Sequence, residues 1–339
     1  MLILGIESSC DETAAAVVKD GHEALSDIIS SQVDIHARYG GIVPEVASRQ
    51  HLLEITPVIK KALSQAQVTL DDIDAVAVTQ GPGLIGALMV GINTAKAVAY
   101  SRDLPLIGIH HLEGHTYAAW LEYPDPATEP GFPLIALIAS GAHTDLILME
   151  DHGKYEFIGR TRDDAAGEAF DKAARVLHLG FPGGPAIQKI SENVNPTFKF
   201  PRAWLNNSYD FSFSGIKTAV LHKAEDYGLY PYSNETYDYS KVSEIAAAFQ
   251  ESVVDVISHK AATAVKKYGA KGLILGGGVS ANTPLRIACK ERCPAPVLIP
   301  APKLCTDNGS MIATVAYYKL MQGVRHNIDI DANPNLPLE

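Results

Sequence analysis

The sequence predicts an α/β protein of two lobes, each built around the same βββαβα unit. Its 339 residues suffice for about two domains, and a content of 47% hydrophobic and 20% charged residues is typical of a globular chain. Each half contains a hairpin of two apolar runs joined by a polar turn. Each half later contains a strand that ends in glycines and leads into a helix, which indicates an internal duplication.

The first lobe begins with two apolar runs, 2–6 and 14–18, which predict the hairpin and are followed by a third strand over 23–31. Apolar residues near helical spacing predict a long helix over 45–67. The unit continues with the strand AVAVTQ, the loop GPGLIG, a helix to about residue 101 and the strand LPLIGI, which runs into HHLEGH.

A segment rich in proline and acidic residues, 123–133, predicts the connection between the lobes. We assign residues 1–122 to the first lobe, completed by a C-terminal helix over 306–325, and residues 123–305 to the second. An irregular insertion or lid is expected over 191–240, where aromatic residues, asparagine and proline are mixed.

The second lobe repeats the pattern of the first. Its predicted elements are the strands LIALIAS, DLILME and KYEFIGRT, the helix DAAGEAFDKAARVLH, a long helix over 244–268, the strand GLILGGGV, a helix from about 282, the strand VLIP and a last helix over 308–321. Two similar lobes facing a cleft, with glycine-rich helix starts around an anionic ligand, form the architecture of actin, the sugar kinases and the Hsp70 ATPase domain.

Composition limits the possible functions. The net charge of −11 argues against nonspecific coating of nucleic acid, because Lys and Arg drive phosphate binding, but it allows a local basic patch or a basic partner. Four cysteines without a C-x-x-C pair favour a reducing cytoplasm. The N-terminus lacks signal-peptide features, and the most apolar run is interrupted by Asn93 and Lys96, so it predicts a buried helix.

The sharpest local signal is the pair His111 and His115. Residues four apart share one face of a helix, so both imidazoles could bind one metal ion, although with 12 histidines a chance pair is the alternative. Glu113 lies about 200° from this face and cannot supply the water-activating base of an HExxH site. Asp307 is available as a third ligand, but on spacing alone we prefer an N-cap role for it. Two His and one Asp would leave positions open on Fe(II) or Zn(II).

Three turns carry further candidate residues. The segment ESSCDET holds Glu7, Asp11 and Glu12, which could orient a nucleophile or accept a proton, although a solvated turn is the alternative. Cys10 has no histidine beside it in sequence, which disfavours a nucleophilic thiol. The segments IASGAHTD and GGGVSAN could approach a phosphate closely, while tight packing would explain their glycines equally well. The sequence contains no P-loop motif.

Nine segments together resemble one family, and they span nearly the whole chain in the family's order. They are GIESSCDETAAAVV, HARYGGIVPEVASRQH, GPGLIGALMVG, HHLEGH, ASGAHT, DDAAGEAFDKAARVLHLGFPGGPAI, FSFSGIKTAV, GGGVSAN and CTDNGSMIA. The family is the universal tRNA N6-adenosine threonylcarbamoyltransferase subunit, formerly labelled O-sialoglycoprotein endopeptidase or glycoprotease, and its bacterial branch is the more similar one.

The resemblance implies the actin-like ATPase fold and a specific reaction. The threonylcarbamoyl group of threonylcarbamoyl-AMP, made by a separate enzyme, would pass to N6 of adenosine 37 in tRNAs that read codons starting with A. The implied bacterial partners are an inactive paralogue, TsaB, and a small P-loop ATPase, TsaE.

The resemblance also implies site residues. His111, His115 and Asp307 match the metal ligands, with Fe2+ expected first and Zn2+ as the alternative, while Asp11 and Glu12 match the acids near the reacting centre. Contacts with the adenylate are implied for Ile138, Ala139, Ser140, Gly141, Ala142, Asp171, Gly184 and Asn282. The family usually reads SGGHT where this chain has SGAHT, and the methyl group of Ala142 would restrict the backbone if φ is positive.

Three rival functions remain open from the residues alone. A metallopeptidase requires a base at the metal, for which Glu113 is misplaced. A nucleotide-binding protein like Hsp70 or actin leaves the histidine pair without a purpose, so metal content would separate the two. A sugar kinase would need only Mg-ATP.

Overall fold

The computed structural model of the protein describes residues 1–123, 125–234 and 237–338. The chain divides into two compact units. The first contains Met1–Glu129 and Thr306–Glu339, and the second contains Pro130–Cys305.

The predicted strands and helices are present in the predicted order, and four further helices, over 33–37, 183–190, 214–226 and 302–305, were not predicted. The strands are β1 (Leu2–Glu7), β2 (Glu12–Lys19), β3 (Glu23–Ser31), β4 (Ala75–Gly81), β5 (Leu106–His110), β6 (Leu134–Ala139), β7 (Thr144–Asp151), β8 (Lys154–Arg160), β9 (Gly272–Gly276) and β10 (Val297–Leu298). The helices are α1 (Val33–Ala37), α2 (Pro44–Ala66), α3 (Ile85–Arg102), α4 (His111–Tyr117), α5 (Ala166–Val176), α6 (Gly183–Ile190), α7 (Ser214–Asp226), α8 (Tyr239–Tyr268), α9 (Thr283–Arg292), α10 (Pro302–Cys305) and α11 (Gly309–Met321).

The first unit is built on a mixed sheet with the strand order β3-β2-β1-β4-β5. β1 pairs antiparallel with β2 and parallel with β4, which in turn pairs parallel with β5. The carboxyl ends of these three parallel strands therefore lie at one edge of the sheet, together with the tip of the β1–β2 hairpin. Glu7 ends β1 and His110 ends β5, so the segment ESSCDET and the histidine pair meet at this edge.

Helices cover the first sheet. On one side, Leu4, Ile6, Val76 and Val78 form a core with residues of α2 and α3. α11 packs directly on β1 and β2, where a Cβ atom on Gly5 would lie only 2.3 Å from the carbonyl oxygen of Gly309. A helix can approach a strand this closely only where neither carries a side chain, so the start of α11 is tightly located.

The second unit repeats this topology, with the order β10-β9-β6-β7-β8. β6 pairs antiparallel with β7 and parallel with β9, as β1 does with β2 and β4. Its core centres on the buried side chains of α8, among them Phe249, which meets Phe170 of α5 edge to face. The internal duplication is therefore present in the sheets themselves.

Two expectations about the second unit were wrong. Within the range 191–240, expected to be irregular, residues 214–226 form α7, and α8 begins at Tyr239 rather than at 244. The carboxylate of Asp163 accepts hydrogen bonds from the backbone N–H groups of Phe213 and Ser214 at the start of α7. This cap comes from about 50 residues earlier in the chain, so no local pattern reveals it.

Within the described part of the chain, no helix combines the length and the apolar character needed to span a bilayer.

Candidate metal centre and substrate-binding loops

The structure brings His111, His115 and Asp307 together at the edge of the first sheet. α4 begins at His111 directly after β5, and His115 follows one turn later, with the two ring centroids 4.6 Å apart. The Nε2 atoms of His111 and His115 lie 3.5 and 3.2 Å from Oδ1 of Asp307. One ligand atom from each residue falls within 4.8 Å of the others, a separation that one metal ion can bridge.

Glu7 orients His111. Its carboxylate is fully buried, and Oε2 lies 3.1 Å from Nδ1 of His111 and accepts a hydrogen bond from the hydroxyl of Thr79 at 2.6 Å. A carboxylate only accepts, so Nδ1 carries a hydrogen, and Nε2 is the ring atom that faces Asp307 and that a metal ion would take as its ligand. Glu7 is one of the three acids of the segment ESSCDET, and its residue type and position alone did not predict this role. The signal that could have found it is an acid that ends a strand in an otherwise apolar run.

The carboxylates around the two histidines favour the binding of a cation. Burial disfavours a protonated His111, but the carboxylates of Asp307 and Glu7 outweigh burial and raise its pKa to about 9. His115 is fully buried, and among the described residues neither ring nitrogen has a partner in hydrogen-bonding geometry, although Nε2 lies 3.2 Å from Oδ1 of Asp307. A buried polar group without a partner costs about 1–3 kcal/mol. A divalent ion would neutralise the carboxylates and give His115 Nε2 a partner, so these residues fit a metal site of two nitrogen ligands and one oxygen ligand.

Asp307 is not the N-cap of the last helix, contrary to our preference from spacing. Asn308 takes that position, and its Oδ1 accepts the Met311 N–H at 2.8 Å while its Nδ2 donates to the Thr306 carbonyl at 2.8 Å. The N–H of Gly309 donates to Asp27 of β3 at 3.2 Å. Because the neighbouring residue caps the helix, the Asp307 carboxylate is directed at the two histidines.

Glu113 does not join this set. Its carboxylate is buried and forms an ion pair with Lys319 of α11 at 3.0 Å. A base occupied by a lysine cannot activate water at the histidine pair, which agrees with the helical-wheel prediction and disfavours peptidase chemistry.

The acids of the hairpin tip are half-buried, so a fully solvated turn was the wrong alternative. Burial raises the pKa of Asp11, and Asp307 raises it further. Burial, with Asp11 beside it, raises the pKa of Glu12 to about 8, although Ser31 donates to its Oε1 at 3.0 Å. A carboxyl group that titrates near neutral pH is suited to acid–base chemistry. Burial and Asp11 raise the pKa of the Cys10 thiol well above its usual value, which disfavours a nucleophilic thiolate.

In the second unit, the loop predicted over 138–142 consists of the last two residues of β6 and the turn residues 140–142 that precede β7. Ile138 and Ala139 are buried at the end of β6, whereas Gly141 and Ala142 are exposed. Ser140 closes the turn, since its N–H donates to the His143 carbonyl at 2.8 Å. The φ angle of Ala142 is not positive, so its methyl group imposes no backbone strain on the loop.

Two glycines hold this loop in place. A Cβ atom on Gly167, at the start of α5, would lie 2.6 Å from the carbonyl oxygen of Ser140. Gly277, after β9, has a φ of +83°, and a Cβ atom there would lie 2.5 Å from the carbonyl oxygen of Ala139. Gly277 of the segment GGGVSAN therefore serves close packing against the loop.

Of the other predicted contact residues, Gly184 and Asn282 stand at helix starts, and Asp171 lies within α5. Asp171 accepts the N–H of Gly183 at 2.7 Å at the beginning of α6, and a Cβ atom on Gly184 would contact nothing within 4 Å. The Asn282 side chain caps α9 through the Leu285 N–H at 3.0 Å and donates to Gln250 at 2.8 Å. Both ends of Asn282 thus have structural partners, and its contact with substrate stays a prediction.

Comparisons with known proteins agree on one family. The model of the family described as tRNA N6-adenosine threonylcarbamoyltransferase matches residues 23–314. The protein of that name from Thermomicrobium roseum is 55% identical over 354 residues, covering 100% of this chain and 97% of its own. The one from Dehalococcoides mccartyi is 52% identical over 336 residues, covering 99% of each chain.

A solved structure shows the fold. The activator of 2-hydroxyisocaproyl-CoA dehydratase from Clostridium difficile aligns over 96% of this chain and 99% of its own, with a TM-score of 0.55 at 15% identity. The prediction of an actin-like ATPase fold is thereby confirmed. The family match sets aside the three rival functions, and the chain belongs to the tRNA N6-adenosine threonylcarbamoyltransferase family.

Proposed function

We propose that this protein transfers the threonylcarbamoyl group from threonylcarbamoyl-AMP to N6 of adenosine 37 in tRNAs that read codons starting with A. The observation that carries the proposal is the match of the whole chain to relatives named for this transfer. The convergence of His111, His115 and Asp307 adds a site with the ligand types that a catalytic metal needs.

His111, His115 and Asp307 would hold one divalent ion, Fe2+ first and Zn2+ as the alternative. When bound, such an ion supplies Lewis-acid polarisation of substrate oxygens. Glu7 contributes by fixing the tautomer and the ring orientation of His111, a role of outer partners that affects metal affinity by about 10- to 100-fold.

The acids of the hairpin tip would handle the proton. In the transfer, a bond forms between N6 and the carbamoyl carbon, the bond from that carbon to the AMP oxygen breaks, and N6 loses one proton. The amine is a weak nucleophile, so a positioned acceptor lowers the barrier. Asp11 and Glu12 are the proposed groups, and a pKa of about 8 lets Glu12 take and return a proton near neutral pH.

The adenylate would contact the second unit through the loop 138–142, Asp171, Gly184 and Asn282. Asp171 accepts the N–H of Gly183 at the start of α6, and Gly184 stands in the first turn with no described atom within 4 Å of a Cβ position. The N–H of Gly184 has no partner within the helix, because it lies in the first turn, and it would be the group of α6 that binds a phosphate oxygen.

Transfer of radiolabelled threonine to tRNA tests the proposal. The purified chain is mixed with tRNA, ATP, bicarbonate, the adenylate-forming enzyme, TsaB and TsaE. Label in tRNA that disappears when this chain is omitted supports transfer. Absence of label, in a mixture that works with another family member, refutes it. His111→Ala and His115→Ala should abolish transfer in folded protein, with the exposed His22→Ala as the matched control, and full activity of both would refute the metal role.

The tRNA and the two partners are part of the proposal, as is a cytoplasmic location. Because the chain carries a net charge of −11, we expect tRNA affinity to depend on local Lys and Arg clusters or on the partners. Tight binding of tRNA by the isolated chain, insensitive to salt, would contradict this expectation.

The paralogue TsaB is proposed to dock on an apolar face formed by α2 and α3. Leu52 and Leu53 of α2 are 66% and 68% exposed, and Ile85 and Met89 of α3 are 50% and 47% exposed. Because α2 and α3 pack against each other, these exposed apolar side chains would form the face on which TsaB docks. Leu53→Glu should abolish co-purification with TsaB and keep metal content, while Tyr100→Glu, exposed near the other end of α3, should leave the complex intact.

A further inference from the structure

The imidazole of His51 bridges two positions of the hairpin tip that bracket Asp11 and Glu12. His51 lies on α2 and is fully buried. Its Nε2 lies 2.9 Å from the carbonyl oxygen of Cys10, and its Nδ1 lies 2.7 Å from Oγ1 of Thr13. One rigid ring therefore spans the chain from the residue before the two acids to the residue after them.

The chemistry of the two partners determines the state of the ring. A carbonyl oxygen only accepts, so Nε2 of His51 carries the hydrogen and donates to Cys10. Nδ1 is then an acceptor and receives the hydroxyl hydrogen of Thr13. Burial lowers the pKa of His51, which is consistent with this neutral form. The ring has no nitrogen left for a ligand.

Backbone hydrogen bonds hold the positions on either side of the Cys10 carbonyl. The Ser9 carbonyl accepts the N–H of Leu84 at 2.8 Å, and the Asp11 carbonyl accepts the N–H of Gln32 at 3.1 Å. The peptide between Cys10 and Asp11 lies between these anchors, and the His51 ring holds its carbonyl. The orientation of this peptide plane sets the direction in which the side chain of Asp11 leaves the backbone.

We propose that His51 is a positioning residue, which holds Asp11 and Glu12 where they meet the adenosine amine. This role rests on the proposed function of the two acids. His51 itself is too deeply buried to touch substrate. A residue that only filled the core would affect unfolding but would leave the turnover of folded protein unchanged.

Paired substitutions at His51 and Thr13 distinguish a residue that positions the two acids from one that only fills the core. His51→Leu keeps a buried apolar volume but removes both hydrogen bonds, whereas His51→Gln keeps one donor and one acceptor. In the reconstituted transfer reaction, His51→Leu should lower kcat by about 10- to 100-fold, because small displacements of reacting groups are costly. Metal content and the KM for tRNA should stay at the wild-type values, and His51→Gln should recover most of kcat.

Thr13→Val and Thr13→Ser repeat the comparison from the other side of the ring and apply even if His51→Leu does not fold. Thr13→Val should lower kcat and Thr13→Ser should restore it. Wild-type kcat in folded His51→Leu, or in Thr13→Val, would overturn the proposal, as would equal losses in His51→Leu and His51→Gln. Asp11→Asn and Glu12→Gln distinguish an error in the proposed function of the two acids from an error in the proposed role of His51. If they keep wild-type kcat, the acid roles in the proposed function are wrong, and if they lose it while His51→Leu does not, only the role of His51 is wrong.

Discussion

Replacing Gly309 with alanine tests the packing that directs Asp307 at the histidines. Gly309 is the first residue of α11, and a Cβ atom there would lie 2.5 Å from the backbone nitrogen of Ala16 and 2.7 Å from the carbonyl carbon of Ala15. Non-bonded atoms pack at about 3.5 Å, so the start of α11 must move by about 1 Å. β2 is buried in the sheet, which leaves the helix as the part that moves.

The displacement has two consequences of different size. Overpacking of this kind costs about 1–3 kcal/mol in the free energy of unfolding. Metal–ligand distances tolerate only about 0.2 Å, and Asp307 stands two residues before Gly309, so a shift of about 1 Å should remove one ligand from the set. We expect metal affinity to fall by at least about tenfold, the size seen when the support of a ligand is lost.

Two measurements check this prediction. Urea unfolding of the metal-free protein gives the stability change, and competition with a chelator gives the affinity for Zn2+. Gly215→Ala is the matched control, since a Cβ atom at the start of α7 would contact none of the described atoms within 4 Å, and it should stabilise the protein by up to about 1 kcal/mol. Gly309→Ala with the wild-type urea midpoint and the wild-type affinity would refute the packing argument.

Three further predictions concern the second unit. Gly277→Ala should raise the KM for the adenylate and lower the free energy of unfolding by about 1–3 kcal/mol, because φ is +83° and the new Cβ atom would press on Ala139. The control is the neighbouring Gly278→Ala, whose Cβ atom would meet no described atom within 4 Å and which should leave the KM unchanged. Ala142→Gly should leave the transfer rate within about twofold of the wild-type rate, since φ is not positive at this position. It should lower the free energy of unfolding by about 0.5 kcal/mol, because glycine has more conformational entropy in the unfolded chain. A large gain in rate would show that the methyl group does hinder the loop. Burial raises the pKa of Asp145 to about 6, above the unfolded value of 3.8, so the native state holds the proton more tightly and the wild type loses stability as pH rises between these values. Asp145→Asn removes that loss. The free energy of unfolding of the variant minus that of the wild type, measured with urea, should therefore grow by up to about 3 kcal/mol from pH 4 to pH 7. A difference that does not depend on pH would show that Asp145 is not desolvated in the native state.

Local patterns predicted most of the regular elements. The strand over 23–31 and the hairpin around the segment ESSCDET have the predicted bounds within one or two residues, because alternation and turn residues act over a few neighbours. The spacing of His111 and His115 also identified a shared helical face from sequence alone. α7 was missed because the carboxylate that caps it, from Asp163, is distant in sequence.

In the candidate site too, some features follow from residue type and spacing, and others depend on the fold. The sequence by itself determined the family, the duplicated unit and the residues that can serve as ligands or acids, since these are properties of residue type and spacing. Only the tertiary structure decided that Asn308 caps α11 while Asp307 faces the histidines, that Glu7 orients His111, and that His51 spans the two acids. Each of these contacts depends on which strands end at the same edge of the first sheet and on how closely glycine lets α11 approach it. Pairings between segments distant in the chain leave no trace in local periodicity, so they become visible only when the fold brings the groups within hydrogen-bonding distance.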